Sequence, residues 1–350
     1  MPRELAALSV RTPGYRAYED APLEPNQVRV RTEYGAPKHG TELHMYRGDS
    51  PFGESHFDPD ERAFLPGGAA FAGFPFALGN AAVGVVTEVG AAVEGVALGD
   101  RVAGYGPLRE TQTWAWGTPG VYPGARRMPA GMSWQNALCL DPATVALGGV
   151  RDGGVRLGDR VLVTGLGAIG LLAVQLCKAA GAGFVAAIDP ITARREVAAA
   201  TGADLVLDPT TGDAGLEVRR AAGAGVDVVV ETSGNPWAMQ AGLRALAFAG
   251  TVAVVGWYNE IKGGLDLGRE AHFNRPRFVF PRVESEPHYD HPRWNGRRLG
   301  DAAWALLAGG RLNCTRVIQP VVGFDDAAAA YREAVDEHPE RSVKLGVRFG

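Results

Sequence analysis

The residues at 165–170 have the spacing Gly-x-Gly-x-x-Gly, which is typical of loops that bind phosphate groups. The first glycine of such a run permits a tight turn, the second lets the backbone approach a pyrophosphate, and the third lets the next helix pack closely on the preceding strand. The N–H groups at the start of that helix would face the phosphates. The residues expected at a dinucleotide are Gly165, Gly167, Ala168, Ile169 and Gly170. A tight turn without a ligand is the alternative.

The neighbouring pattern favours phosphate binding. Residues 161–163 (Val-Leu-Val) form a short apolar run, which predicts a buried strand that ends at the glycine turn. After the turn, apolar residues recur at helical spacing from Ile169 to Cys177, and Gly181 is suited to end the helix. Strand, turn and helix therefore follow one another as a dinucleotide-binding fold requires.

Asp189 ends the next predicted strand. An acidic side chain there accepts hydrogen bonds from the adenosine ribose hydroxyls and repels a 2′-phosphate, so the position predicts NAD rather than NADP. Arg194 and Arg195 weaken this preference, since one of them could flank the adenine or meet a phosphate. Two solvated charges at a helix start are the alternative for these arginines.

The elements around the glycine run alternate between strand and helix. Further strands are predicted at 184–188, 205–207, 226–230 and 252–255, and helices at 193–201 and 238–247. Such alternation predicts an α/β fold, a doubly wound parallel sheet with right-handed crossovers, over residues 153–286.

The first 152 residues have a different pattern. Short strands between Gly and Pro turns, at 28–31, 83–89 and 101–104, predict a β-rich domain over residues 1–152. Residues 287–350 could return to that domain. The cleft between the two domains would then be the default binding site.

The composition of the chain excludes several classes of function. A chain of 350 residues is long enough for two domains, and its 46% of hydrophobic residues is ordinary for a globular protein. The net charge of −4 argues against nucleic-acid binding. Residues 1–30 contain neither a signal-peptide stretch nor a spanning helix, so we expect a cytoplasmic protein without membrane contact. Cys139, Cys177 and Cys314 are too few and too scattered for a four-thiolate zinc site.

Several segments together resemble the medium-chain dehydrogenase/reductase superfamily. They are residues 164–181, 84–90 (Gly-Val-Val-Thr-Glu-Val-Gly), 99–102 (Gly-Asp-Arg-Val) and 231–234 (Glu-Thr-Ser-Gly). Residues 293–298 and 324–331 look like the branch that contains bacteriochlorophyllide dehydrogenase. The resemblance implies a Rossmann domain at 153–286, a GroES-like catalytic domain built from 1–152 and 287–350, and a homodimer or homotetramer. It also implies that Thr232, Ser233 and Gly256 contact the cofactor.

The resemblance also bears on zinc. Zinc-dependent members hold a catalytic metal with a Cys in a Cys-Gly-Thr-Asp stretch, a Gly-His-Glu motif and a later Cys, Glu or Asp. Here the stretches read His39-Gly40-Thr41-Glu42 and Gly79-Asn80-Ala81, and Asp141 stands at the third position. Because catalytic zinc takes three strong protein ligands, these replacements imply a member without zinc. The alternative is a weak zinc site formed by His39, Asn80 and Asp141.

In alcohol-oxidising relatives a Thr of this stretch contacts the substrate oxygen, and a His three residues later passes the proton on. Thr41 and His44 match these positions and would face one side of a helical turn. A helix-start hydroxyl and a surface imidazole are the alternative. Without zinc, charge on the substrate oxygen would need other donors. The candidates are Lys38, His39, Thr41 and Asn80, with Asp141 or Glu42 as a base or as a hydrogen-bond anchor.

Aromatic side chains near these motifs could pack against a ring-shaped substrate, although core packing is their commoner role. They are Tyr46, Phe52, Phe57, Trp114, Trp116, Trp257 and Tyr258. The run His288-Tyr289-Asp290-His291 could bind a metal or a polar substrate, or form a solvated loop.

We therefore expect an NAD-dependent oxidoreductase that interconverts a secondary alcohol and a ketone on a small hydroxylated or cyclic substrate. A zinc-independent quinone- or enoyl-type reductase and a non-catalytic NAD(P)-binding protein are the alternatives. Retention of Thr41 and His44 argues against both.

Overall fold

The structure is a computed structural model that describes residues 1–50, 55–67, 73–117, 125–258 and 261–350. By contacts the chain divides into two compact units. One contains the described residues up to Met128 together with Gln319–Gly350, and the other contains Pro129–Ile318.

The strands, in chain order, are β1 (Arg3–Ser9), β2 (Thr12–Ala17), β3 (Gln27–Ala36), β4 (Ser55–Asp58), β5 (Ala63–Pro66), β6 (Phe76–Ala77), β7 (Ala81–Val89), β8 (Arg101–Gly104), β9 (Thr111–Ala115), β10 (Ala125–Arg127), β11 (Arg160–Thr164), β12 (Phe184–Ile188), β13 (Leu205–Leu207), β14 (Val226–Glu231), β15 (Leu246–Val254), β16 (Arg277–Val279), β17 (Ile318–Gly323) and β18 (Lys344–Arg348). The helices are α1 (Thr41–Arg47), α2 (Trp134–Leu138), α3 (Leu140–Asp152), α4 (Ala168–Ala179), α5 (Thr192–Ala200), α6 (Ala214–Ala221), α7 (Pro236–Ala245), α8 (Glu270–Asn274), α9 (Gly296–Ala308) and α10 (Ala327–Tyr331). No helix in the described ranges is long and apolar enough to cross a lipid bilayer.

A six-stranded parallel sheet forms the centre of the second unit, in the order β13-β12-β11-β14-β15-β16. Val161, Leu162 and Val163 are fully buried in its middle, because a strand with helices on both faces has no solvent-exposed side. The predicted strands and helices of this region are confirmed, with small shifts at their ends. The exception is β15, which begins at Leu246 rather than 252 and is irregular where it pairs with β14.

In chain order the six strands follow the spatial sequence 3-2-1-4-5-6. In a sheet of this order the order of the strands reverses between the first and fourth strands, and dinucleotides bind outside the carboxyl ends of the strands at that point. Here the reversal lies between β11 and β14. The glycine run follows β11 directly and Glu231 is the last residue of β14, so both lie at the expected binding edge.

The first unit is β-rich, as predicted. Its main sheet has the order β10-β8-β7-β3-β18-β17, and β9 also pairs with β3. The central strands β3 and β7 are antiparallel, with Ala36 opposite Ala81. The final strand β18 joins the other side of β3, where Val347 lies opposite Gly35. The chain therefore returns to its first unit at its C-terminal end.

The contact-based division differs from the expected boundaries at 152/153 and 286/287. Helices α3 and α9 lie in the unit of the parallel sheet, where α3 packs against α4 and α9. A Cβ built on Gly148 of α3 would lie 3.0 Å from Val283 and 3.5 Å from Leu299, so the absence of a side chain there permits close packing. Asn136 also donates to the carbonyl oxygens of Leu307 and Leu312. The return to the first unit therefore begins at Gln319.

Candidate active site

The glycine run has the geometry that phosphate binding requires. Gly165 has a φ of +80°, which favours glycine, and an added Cβ would lie 2.7 Å from the Cβ of Ser233. A Cβ on Gly170 would lie 1.8 Å from the carbonyl oxygen of Gly165, so α4 packs directly on the turn. By contrast, a Cβ on Gly167 would meet nothing within 4 Å. The turn is thus closed towards the protein and open at Gly167, where a phosphate group can approach.

Asp189 is buried beside this turn. Its two carboxyl oxygens accept the N–H of Leu166 at 2.7 Å and the N–H of Ile191 at 2.8 Å. Each oxygen keeps further lone-pair capacity for a ribose hydroxyl. The carboxyl group is therefore fixed relative to the glycine run.

Arg194 and Arg195 are not the solvated surface charges that the alternative interpretation expected. Each guanidinium side chain is only 16% exposed. Arg194 lies 4.0 Å from the carboxylate of Asp189, and Arg195 donates to the backbone carbonyl of Asp189 at 2.6 Å and pairs with Asp208 at 3.0 Å. Both cations are thus held against Asp189, the residue predicted to select the cofactor.

The loops after β14 and β15 lie against the glycine turn. Thr232, predicted to contact the cofactor, uses its hydroxyl to donate to the carbonyl oxygen of Gly165 at 2.8 Å. Ser233 donates to the carboxyl group of Glu231. A Cβ on Gly256 would lie 2.2 Å from the backbone nitrogen of Gly234, so only glycine fits there. These three predicted residues therefore share one edge of the sheet with the glycine run.

Thr41 and His44 lie on the short helix α1, separated by one turn as predicted. The imidazole Nδ1 of His44 lies 2.7 Å from Oδ1 of Asp49. The helix ends at Gly48, whose φ of +73° is left-handed, and the N–H of Asp49 then donates to the carbonyl oxygen of His44. This turn brings Asp49 back beside the imidazole. Asp49 therefore orients the imidazole through Nδ1.

Glu42 lies on the buried side of α1 and serves as an anchor. Its carboxyl oxygens accept the N–H of Gly79 at 2.6 Å and the hydroxyl of Tyr331 at 2.9 Å. Burial raises the pKa of Glu42 to about 7, against the hydrogen bonds and the charge of Lys344, which lower it. The side chain is 5% exposed, so this geometry favours the anchor among the two roles expected for it.

The other predicted polar residues fall into two groups. Lys38 and His39 lie in the loop between β3 and α1, and the N–H of Asn80 donates to the carbonyl oxygen of Ala36 at the end of β3. The first unit thus brings Lys38, His39, Thr41 and Asn80 into one neighbourhood. Asp141 belongs to the other unit, where it is buried in the first turn of α3.

Three of the seven aromatic candidates have structural roles. Tyr46 and Trp114 are buried in cores of the first unit, and the indole N–H groups of Trp114 and Trp116 donate to the carbonyl oxygens of Tyr105 and Glu94. The exposed candidates are Phe57, on the β4–β5 hairpin, and Trp257, while half-buried Tyr258 lies next to Glu231. Phe52 lies outside the described residues.

The run at 288–291 is packed at His288 and Asp290, whereas Tyr289 and His291 are exposed. His288 is 8% exposed and contacts the carbonyl oxygen of Val283, and Asp290 pairs with Arg151 at 2.6 Å and with Arg293 at 3.3 Å. Across the residues that the structure describes, no group of three or more His, Cys, Asp or Glu side chains is placed to hold a metal ion.

Sequence reasoning missed Asp49 and Lys344, and it did not assign roles to Glu231 or Tyr331. A weak local signal existed for Asp49, since glycine at a helix end commonly turns the chain back. Lys344, whose ammonium donates to the carbonyl oxygen of Pro37, is 307 positions away along the chain. No local pattern predicts such a pair.

Comparison with known proteins agrees with this geometry. The family described as an alcohol dehydrogenase GroES-like domain matches residues 24–136, and the family described as a zinc-binding dehydrogenase matches residues 168–283. The protein is therefore an alcohol dehydrogenase-like oxidoreductase with a GroES-like domain and a Rossmann-like domain. The chain belongs to the zinc-type medium-chain dehydrogenase/reductase superfamily.

Three similar proteins illustrate the relationship. D-guloside 3-dehydrogenase of Escherichia coli K12 is 45% identical over 352 residues, covering 99% of this chain and 100% of the relative. L-threonine 3-dehydrogenase of Pyrococcus horikoshii is 32% identical, covering 74% and 77% of the two chains. The crystal structure of 2R,3R-butanediol dehydrogenase from Bacillus subtilis superposes with a TM-score of 0.75 at 22% identity, covering 99% of each chain, and shows the common fold.

Proposed function

We propose that the protein is an NAD-dependent dehydrogenase that interconverts a secondary alcohol and a ketone on a cyclic, hydroxylated small molecule, without zinc. The observation that carries this proposal is the contact between His44, on the helix of Thr41, and Asp49, which follows that helix. A dehydrogenase of alcohols must remove a proton as well as a hydride, and this arrangement provides a hydroxyl and an oriented imidazole. The name of the 45% identical relative, D-guloside 3-dehydrogenase, supports a glycoside as the substrate class.

In the alcohol-oxidising direction, the carbinol carbon would lose a hydride while the hydroxyl proton would leave towards Thr41 and His44. When bound, the cofactor supplies the hydride acceptor. Thr41 would hold the substrate oxygen and His44 would receive the proton. The His44 side chain is 29% exposed, so water can take the proton from the imidazole. In the reverse direction His44 would return the proton to the new alkoxide.

The residues of the glycine turn fit a dinucleotide, because Gly167 is open and the other two glycines are closed. Gly165, Gly167, Ala168, Ile169 and Gly170 would hold the pyrophosphate, and Asp189 the adenosine ribose. The buried carboxylate favours NAD, although Arg194 lies at its side.

The donor set supports a zinc-independent reaction. Asn80 and Ala81 supply an amide and a methyl group where zinc-dependent relatives supply an imidazole and a carboxylate. An amide oxygen is a weak zinc ligand and a methyl group is none, so the residues present do not fit a catalytic zinc. The substrate oxygen would then be polarised by Lys38, His39, Thr41 and Asn80.

We also propose that the protein forms a homodimer or homotetramer. Strand β16 is an edge of the parallel sheet, and edges of this kind pair readily with another chain. Exposed phenylalanines lie on β15, α8 and next to β16, where Phe248, Phe273 and Phe280 are 63%, 75% and 64% exposed. A second copy of the chain would cover this apolar edge.

The decisive experiment is an assay of methyl β-D-guloside and related methyl glycosides with NAD, followed by absorbance of NADH and by NMR of the product. The proposal expects NADH in equal amount to a keto-glycoside. Reduction of quinones or enones by NADH without any alcohol oxidation would instead establish the reductase alternative.

A further inference from the structure

The carboxyl group of Glu231 is fully buried at the end of β14, beside the proposed cofactor turn. Its oxygens accept hydrogen bonds from the N–H and hydroxyl of Ser233 and from the N–H of Gly234. The hydroxyl of Thr164, at the end of β11, lies 3.4 Å away as a further donor. An acceptor-only group is thus surrounded by donors.

The main chain of Glu231 reaches the third strand end. Its carbonyl oxygen accepts the N–H of Val255 at 2.8 Å and the N–H of Gly256 at 2.9 Å. One residue therefore connects the ends of β11, β14 and β15, which are neighbours in the sheet.

The three loops that begin at these strand ends are packed without spare space. A Cβ on Gly165 would lie 2.9 Å from the Cα of Ser233, and a Cβ on Gly234 would lie 2.5 Å from the carbonyl oxygen of Trp257. A Cβ on Gly256 would lie 2.7 Å from the carboxyl group of Glu231 itself. Since the loops touch one another, a shift of the Glu231 side chain must move all of them.

We infer that Glu231 is a positioning residue for the dinucleotide, which holds the loops after β11, β14 and β15 in the shape that receives it. The inference rests on the proposed cofactor function. Glu231 does not itself touch the dinucleotide in this role, because its oxygens point into the protein and are taken by loop donors. It acts through Ser233, Gly234 and, by way of Thr164, the glycine turn.

The test is Glu231→Gln, which keeps the shape but places an NH₂ group among N–H and O–H donors. Asp227→Asn is the matched control, because Asp227 lies on the same strand and accepts the N–H of Arg160 at 2.8 Å. Dissociation constants for NADH are measured by fluorescence titration, together with kcat and KM. We expect the dissociation constant and KM for the cofactor to rise about tenfold or more in Glu231→Gln, with kcat at saturation changed much less. Asp227→Asn should leave both near the wild-type values.

Hydrogen exchange of the cofactor-free protein supplies a readout of the positioning itself. The amides of Ser233 and Gly234 should exchange faster in Glu231→Gln but not in Asp227→Asn. If Glu231→Gln does not fold, Glu231→Asp takes its place, with intermediate effects expected because the carboxylate is kept but shortened. Equal cofactor affinity and equal exchange in variant and wild type would overturn the inference. A wild-type protein that binds no NADH would instead contradict the proposed function, while the exchange data would still test the role of Glu231.

Discussion

The hydroxyl of Tyr331 donates a 2.9 Å hydrogen bond to the carboxyl group of Glu42, although 289 positions separate the two residues. Tyr331 lies in a buried cluster of the first unit, where Tyr46 contacts it edge-on with 5.0 Å between ring centroids. Glu42 directly follows Thr41, so this bond fixes the helix that carries the proposed proton relay. The C-terminal segment therefore determines the geometry of residues near the N-terminus.

The burial of Glu42 predicts that the free energy of unfolding depends on pH. The pKa of Glu42 rises from 4.5 to about 7 on folding, so the folded state holds the proton more tightly than the unfolded state. The contribution of Glu42 to the free energy of unfolding is then largest below pH 4.5 and is lost as the pH rises to about 7. The loss is on the order of 3 kcal/mol.

Glu42→Gln cannot titrate, so the difference in unfolding free energy between this variant and wild type should change across that pH range. Urea denaturation at several pH values measures it. If the amide group itself lowers the free energy of unfolding by a constant amount, the plot of this difference against pH is displaced but keeps its slope. A difference that is constant from pH 4.5 to 7 would show that Glu42 titrates normally.

Replacement of His44 tests the relay. His44→Ala should lower kcat by on the order of 10² and change its pH profile, with little effect on cofactor affinity. Thr41→Val should be worse, because it removes the group proposed to contact the substrate oxygen. Asp49→Asn should have a smaller effect of the same kind, since Asp49 orients the imidazole.

The matched control for His44 is His338→Ala, because His338 is an exposed imidazole of the same unit, 3.2 Å from the carboxylate of Glu340. Its kcat should equal that of the wild type. Near-normal rates for both His44→Ala and Thr41→Val would shift the proton-transfer role to Lys38, His39 or Asp141.

The replacement of zinc ligands predicts a metal-free enzyme. Elemental analysis of purified protein should find far less than about one zinc per chain, and treatment with a chelator should leave turnover intact. A stoichiometric zinc that is lost together with activity would make His39 and Asp141 ligands.

The preference for NAD over NADP tests the proposed role of Asp189. We expect NAD to bind at least about tenfold more tightly than NADP, because the carboxylate repels a 2′-phosphate. Asp189→Ala should reduce this ratio, with Arg194 then available to a phosphate. Asp208→Ala, which removes the neighbouring partner of Arg195, should keep the preference. Equal binding of the two cofactors by the wild type would refute the role of Asp189.

Local patterns predicted the parallel sheet and its glycine turn well. The apolar run before Gly165 and the helical spacing after it are properties of neighbouring residues, so β11 and α4 could be located from sequence. The assignment of α9 to the unit of the parallel sheet could not be predicted in this way. It follows from the packing of α9 against α3, which depends on tertiary contacts such as that of Gly148 with Leu299. The anchor of Glu42 and the connections of Glu231 likewise depend on distant elements, which no periodicity encodes.

The hydrogen bond from Lys344 to the carbonyl oxygen of Pro37 and that from Tyr331 to Glu42 have a consequence for synthesis. The N-terminal part of a nascent chain leaves the ribosome first, yet the first unit lacks both anchors and the strand β18 until residues 331–348 have been synthesised. The continuous unit Pro129–Ile318 has all of its own strands earlier. The later part of the chain can thus complete its folding before the earlier part, which reverses the usual order of co-translational folding.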